Sequence, residues 1–317
     1  MKSFPAHLIV IPCIMAVLGW AQAPTPTQAR TPTQAPGRQG GAGRGGPNPN
    51  LWSGSKHLLV VADVTTGYHH DAINHQMAVI ERLGRESKAF MTMLRTDSQL
   101  LTKDTIMGHG SRYNGRTVNA KSLDFFDAVF LMPSGAGNLT DKQKADLLSF
   151  IRDDGKGILV GHAATVGYYE WPEFHDLIGG VMNGEFAEEA TVIVEDPKFP
   201  GADAFGLAPF KFFEQHPILK EPYSREKEHV ILRLDPSKLS PQSRARRPDG
   251  DFPIAWARQY GKGRMYDIGW GEFEETWDDP RFQQMILGAI RWALGTVEAD
   301  VSPQPFPGAE MAKQHSK

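Results

Sequence analysis

Continuous apolar runs mark the first half of the chain. Residues 56–62 (KHLLVVA) form a short Leu/Val run closed by Asp63 and the polar Thr65-Thr66-Gly67, the pattern of a strand buried on both faces. Ile73, Met77, Ile80 and Leu83 then recur at helical spacing within residues 71–83, which predicts a helix with one apolar stripe. Further strands are predicted at 88–94, at 127–132 (DAVFLM) and at 157–161 (GILVG). Between the last two, Thr140 with Gln143 three residues on forms a capping box for a helix ending near Gly155. Strands that alternate with helices in this way argue for a parallel sheet covered on both faces.

The second half reads differently. Residues 190–194, 229–234, 253–260 and 264–269 predict additional strands, and Tyr260-Gly261-Lys262-Gly263-Arg264 a hairpin turn between the last two. His216-Pro217, within residues 210–219, reads as a surface turn or loop, and His229 as the opening of a strand. Asp278 or Asp279 caps a final helix with Pro280 in its first turn and Phe282, Met285, Ile286, Ala289, Ile290 and Trp292 on its apolar side, stopped by Gly295. The folded unit is thus expected over residues 56–295.

What flanks that unit has a different composition. Met1 and Lys2 precede an apolar run at 7–20 (HLIVIPCIMAVLGW) that ends in Ala21-Gln22-Ala23, the pattern of a secretory signal peptide cleaved near Ala23. The apolar stretch is too short to span a bilayer. The expectation is a secreted or periplasmic protein with no stable membrane insertion after cleavage. Residues 24–55 begin with a Pro/Thr/Gln stretch and continue as a Gly/Arg one, which reads as a disordered linker; residues 296–317 read as a flexible tail.

Charge and cysteine content narrow the chemistry. With 34 Lys+Arg against 37 Asp+Glu and a net charge of −3, the 317-residue chain has no field that would gather nucleic acid. Its one cysteine, Cys13, falls in the signal segment. The exported protein would therefore have no disulfide and no thiolate nucleophile or ligand.

Parallel sheets bind ligands at the carboxyl ends of their strands, and the loops expected there carry the unusual residues. Gly67-Tyr68-His69-His70-Asp71 follows the first strand, Gly161-His162-Ala163-Ala164-Thr165 the fourth, and Tyr168-Tyr169-Glu170-Trp171 comes soon after. His162, on a sharp turn at a strand end, is the first candidate for acid–base work, against the plainer role of donating to a loop carbonyl. His69, His70 and His75 with Asp71 form the densest imidazole group. A metal there is the weaker reading, because the spacing matches no specific metalloenzyme signature. The carboxylate and rings of the 168–171 loop suit a sugar, whose apolar faces stack on aromatics while its hydroxyls donate to carboxylates; anchoring of that loop by Trp171 and Phe174 is the structural alternative. Trp270-Gly271-Glu272 with Glu274, after the last strand, is placed where it would line the same mouth.

Read together, GYHHDAI at 67–73, GILVGHAAT at 157–165, YYEWPEF at 168–174, IGG at 178–180, VEDPKFP at 194–200, HPI at 216–218, YGKGRMYDIG at 260–269 and ETWDDPRFQQMILGAIRWALG at 275–295 resemble the ThuA-like (trehalose utilisation) family across the whole folded unit. The resemblance implies a flavodoxin-like fold similar to class I glutamine amidotransferases, a three-layer α/β sandwich with a mainly parallel sheet and additional strands in the second half. It implies handling of trehalose and related sugars, including 3-keto sugars. Where those amidotransferases hold a nucleophilic cysteine this chain has His162, so glutaminase activity is not expected. The matching positions are His70, His162, Thr165, Glu170 and Trp171. The sequence departs from the pattern at Val166, where an Asp is expected, at Gly184-Glu185-Phe186, where Gly-His-Pro is expected, and at Gly269-Trp270, where Gly-His is expected.

The expected protein therefore acts on a small-molecule carbohydrate. His162 serves as general acid/base, Glu170 as hydroxyl acceptor or second base, and His70 polarises a carbonyl or hydroxyl. His69, Thr165, Tyr169, Trp171 and Trp270 are the expected substrate-binding residues. No cofactor and no metal are expected, no nucleic-acid partner either, and the oligomeric state is left open. Two alternatives stand beside it: a carbohydrate-binding protein without catalysis, and a metal-dependent hydrolase using His69, His70 and His162.

Overall fold

A computed structural model describes residues 54–64, 67–107, 117–119 and 121–307. The segment expected to be a signal peptide, nearly all of the expected linker, Thr65-Thr66 and residues 308–317 lie outside the described residues. In chain order the elements are β1 (His57–Ala62), α1 (Ile73–Ser87), β2 (Met91–Arg95), β3 (Ile106–Met107), β4 (Thr117–Asn119), β5 (Ala128–Met132), α2 (Asp141–Arg152), β6 (Gly157–Val160), α3 (Pro172–Ile178), β7 (Val181–Val194), β8 (Phe210–Lys220), β9 (His229–Leu234), α4 (Pro241–Ala245), β10 (Pro253–Tyr260), β11 (Gly263–Ile268), α5 (Glu274–Asp278) and α6 (Pro280–Ala293).

Nine strands form one sheet in the order β2-β1-β5-β6-β11-β10-β9-β7-β8, and β3 pairs with β4 separately. From β2 to β11 every neighbouring pair is parallel. From β11 to β8 every pair is antiparallel. The expectation of a mainly parallel sheet is corrected to a mixed one. The reversal starts at the β10–β11 hairpin, where Gly261 at φ +60° turns the chain and makes β11 both the last parallel strand and the first antiparallel one.

Strand and helix chemistry follow the predicted apolar pattern. Leu58, Val60 and Ala62 of β1 join an apolar cluster with α1 and α6, while Leu59 and Val61 face the other way into a cluster with α2 and α3. This two-sided burial is why β1 reads as an unbroken apolar run. The Thr140–Gln143 capping box is present at the start of α2, and Asp279 caps α6 by accepting from the Arg281 amide. Gly288 lets α6 approach the loop at Pro200. A Cβ there would sit 2.0 Å from the Pro200 carbonyl oxygen, so Gly288→Ala should destabilise the fold by about 2 kcal/mol in urea titration despite alanine's better helix propensity.

Two local readings change. His216-Pro217 is not a surface turn but part of β8, whose position at the sheet edge tolerates a proline that cannot donate to a ladder. Residues 296–307, expected as the beginning of a flexible tail, lie against the domain. His229 Nδ1 hydrogen-bonds the Ser302 carbonyl at 2.8 Å, Arg264 pairs with Glu298, and Arg225 and Arg233 stack on Phe306. Among the described residues no helix is long and apolar enough to cross a membrane.

Candidate active site

Three side chains from three distant parts of the chain meet at the carboxyl edge of the parallel strands. His70 follows β1, His162 follows β6, and Glu272 follows β11. His70 Nδ1 lies 2.6 Å and His162 Nε2 2.8 Å from the same oxygen, Glu272 Oε2. The two imidazoles stand edge to face with ring centres 5.2 Å apart. The sheet order explains the meeting, since β1, β5, β6 and β11 are successive neighbours.

Each member is fixed by its own surroundings. After His162, Ala163 takes the left-handed conformation at φ +69°, and a series of turns follows before α3 starts at Pro172. His162 Nδ1 is 3.3 Å from the Gly269 carbonyl oxygen, which holds Nε2 toward Glu272. Glu272 is held from behind by Glu214, a carboxylate buried in β8. One Glu214 oxygen accepts from the amides of Gly271 and Glu272, at 2.8 and 3.1 Å, and from the Thr276 hydroxyl. The other accepts from the Gln215 amide. The Gly271 carbonyl in turn accepts from Gln76 and Trp277. Gly271 sits at φ +118°, and a Cβ there would be 2.9 Å from the Trp277 indole nitrogen, so this position requires glycine. The loop bearing Glu272 is thus pinned on both sides, which presets the carboxylate's direction.

The electrostatics follow from these contacts. Burial alone would push the Glu272 carboxyl up, but hydrogen bonds and charges of His162 and His70 outweigh it and hold it down to about 2. Burial pushes the His162 imidazole down, yet the Glu272 hydrogen bond and charge, the Glu214 charge and the Gly269 carbonyl raise it on balance. Burial raises the Glu214 carboxyl against the amide and hydroxyl donors that lower it.

The remaining predicted residues divide. Thr165 and Tyr169 line a cleft of about 580 Å³ together with Val166, Pro172, Val181 and Met182; Tyr169 is 61% exposed. Glu170 is exposed and, among the described residues, has no hydrogen-bond or ion-pair partner. It is not joined to the His70–His162 group; Glu272 occupies that place. His69 is exposed and outside the group as well, and His75 pairs with Asp278. Trp171 and Trp270 are corrected from substrate binding to packing. Trp171 is buried and stacks on Phe174, and Trp270 is fully buried, stacked on Phe212 and donating to His216 Nδ1 at 3.1 Å. Exposed Tyr68, edge-on to His70, was not singled out by the sequence.

That indole donor also fixes His216. Its Nδ1 must accept, so its Nε2–H donates to the Glu188 carbonyl oxygen at 3.0 Å and the ring stays neutral. Burial pushes its pKa down to about 4 from the ordinary 6.5. Between these two values the unfolded chain binds the proton and the folded one does not, so stability rises with pH across that window and is lost as pH falls through it. The loss is about 3 kcal/mol. Urea titrations from pH 7 to 4 should show this slope in the wild type and a flatter one in His216→Gln, whose amide can both accept and donate.

Fold and site together define an α/β protein with a histidine–histidine–carboxylate centre at the carboxyl edge of a mixed sheet. The sequence profile of the family described as trehalose utilisation (ThuA) matches residues 58–293, and the chain belongs to this family. Among solved structures, a ThuA-like protein from Bacteroides uniformis superposes with a TM-score of 0.57 at 17% identity, covering 78% of this chain and 95% of that one. Another, from Parabacteroides merdae, gives 0.53 at 14% identity, covering 78% and 92%. These two share the fold. A comparison with curated proteins returned no match.

Proposed function

We propose that this is an exported enzyme that acts on a carbohydrate, trehalose-like or a keto-sugar, by proton transfer at His70, His162 and Glu272. The observation that carries it is the convergence of both imidazoles on one Glu272 oxygen. A sugar hydroxyl or keto oxygen brought to this point meets nitrogens that donate and a carboxylate that accepts, which is the equipment for moving a proton on a polyol without a thiolate. His162 gives and takes the proton, Glu272 holds and orients the imidazole, and His70 polarises the reacting oxygen. Glu272 thus stands beside the imidazoles where the sequence suggested Glu170, orienting His162 rather than acting as the hydroxyl acceptor or second base expected of Glu170.

The neighbouring cleft supports a sugar as the ligand. Its 580 Å³ suits one or two sugar rings, its lining is largely apolar, and Thr165 and Val166 belong to the same turn as His162. Exposed Tyr169 offers a ring to stack on. Apolar clusters on both faces of the sheet support a flavodoxin-like, three-layer arrangement, and the apolar run ending at Ala23 supports export.

Incubation with trehalose, other disaccharides and their 3-keto forms, followed by NMR, tests the proposal. Consumption of at least one sugar is expected, and its loss in His162→Ala. A sugar that raises the melting temperature but is never consumed would instead establish a binding protein.

A further inference from the structure

We infer that His70, His162 and Glu272 hold one divalent first-row transition cation, bound through His70 Nδ1, His162 Nε2 and a Glu272 carboxylate oxygen. This rests on the reading that a sugar oxygen reaches these residues, and it names the species that polarises that oxygen in place of the His70 N–H. With His162 Nε2 committed to the cation and Nδ1 to the Gly269 carbonyl oxygen, the proton transfer assigned above to His162 would pass to a water or sugar oxygen on the cation.

The geometry is that of a ligand set. The three atoms lie within 4.8 Å of one another, and no other group of three or more His, Cys, Asp or Glu side chains is so gathered among the described residues. Two imidazoles and one carboxylate are a recurrent catalytic set for zinc and for other first-row ions, leaving coordination positions free for water or substrate. The surroundings match as well. A metal-bound imidazole characteristically donates its second N–H to a carbonyl or carboxylate, and His162 Nδ1 faces the Gly269 carbonyl oxygen. Glu272 is oriented by hydrogen bonds from its own backbone amide and that of Gly271 to buried Glu214, so its carboxylate is set before any cation arrives.

Donor accounting points the same way. Without a cation, both nitrogens must carry a proton to bond one carboxylate oxygen, and His162, bonded through Nδ1 too, must then be a full imidazolium in a nearly closed site. With a cation both imidazoles are neutral, His70 Nδ1 and His162 Nε2 turn lone pairs to it, and His162 Nδ1–H donates to the Gly269 carbonyl oxygen. Bonds of about 2.0 Å in tetrahedral geometry separate ligand atoms by about 3.3 Å, against 2.6 and 2.8 Å here. Binding therefore needs the Glu272 carboxylate to move outward by about half an ångström. With only nitrogen and oxygen donors, the set suits zinc, manganese or iron(II) rather than a thiophilic ion.

The test uses the full chain, freed of metal by chelator and dialysed, and titrated calorimetrically with Zn²⁺ and with Mn²⁺ alone. One equivalent of at least one of them is expected to bind. His162→Ala and Glu272→Gln should each weaken it by more than about 10-fold, His69→Ala should leave it unchanged, and circular dichroism should confirm that all variants are folded. Failure of both ions to bind, or binding that is indifferent to His162→Ala and Glu272→Gln, overturns the site. Sugar consumption by a protein that binds neither ion removes the cation and leaves the carbohydrate reading intact. A cation bound at these residues with no sugar consumed keeps the cation site and removes that reading.

Discussion

Glu272→Gln is expected to lower sugar turnover by about 10²–10³-fold with the protein still folded, while Glu170→Gln stays within about twofold of wild type. The amide keeps the size of the side chain but loses the charge that two imidazoles converge on. With its oxygen toward the rings the amide still accepts but offers no charge, and with its NH₂ toward them it meets two donors, so the His162 ring loses its electrostatic partner in either orientation. Glu272 is half-buried and its own backbone amide remains bound to Glu214, so little stability should be lost. Among the described residues Glu170 has no partner to lose. Initial rates of the two variants, measured beside each other on the same sugar, read this contrast directly; equal losses would return Glu170 to the reaction.

How far the sequence anticipated this contrast depends on which signals are local. β1, α1, β5, α2, β6 and α6 were legible because burial on two faces, or on one helical stripe, writes itself into consecutive residues. So were His70 and His162, since a histidine just past an apolar run marks the ligand edge of such a sheet. The antiparallel half was less legible. The first part of β7 (VMNGEFAEE) is polar and acquires its strand character from pairing with β8, and Pro217 signalled a turn where an edge strand accommodates it. Glu272 stands after the last parallel strand, but nothing local marks it, because its partner residues lie about 110 and 200 positions away in the chain, and only the strand order joins them. Glu214 was missed although a signal existed. In the first part of β8 the buried positions alternate as Phe212, Glu214 and His216, and a carboxylate on the inward side of an alternating strand calls for buried donors.

Those donors make Glu214 the residue with the largest expected effect on stability. Glu214→Ala should cost about 3–5 kcal/mol in urea titration, because it leaves the Gln215, Gly271 and Glu272 amides and the Thr276 hydroxyl without their acceptor in a closed site. Glu214→Gln should cost less, since one oxygen can keep the three bonds to Gly271, Glu272 and Thr276. Glu214 is a positioning residue. In Glu214→Gln, kcat is expected to fall more than KM changes, because the altered loop shifts Glu272 at the reacting centre and leaves the Tyr169 cleft alone. A rise in KM with kcat unchanged would show instead that Glu214 supports sugar binding and not the chemistry.

A crystal structure with the consumed sugar, or an unreactive analogue of it, tests the site most directly. The ring is expected in the cleft beside Thr165 and Tyr169, with one hydroxyl or keto oxygen within about 3 Å of His162 Nε2, His70 Nδ1 or the Glu272 carboxylate, or of a cation between them. A sugar seated elsewhere, with the His70–Glu272–His162 contacts undisturbed, would contradict the assignment of this centre.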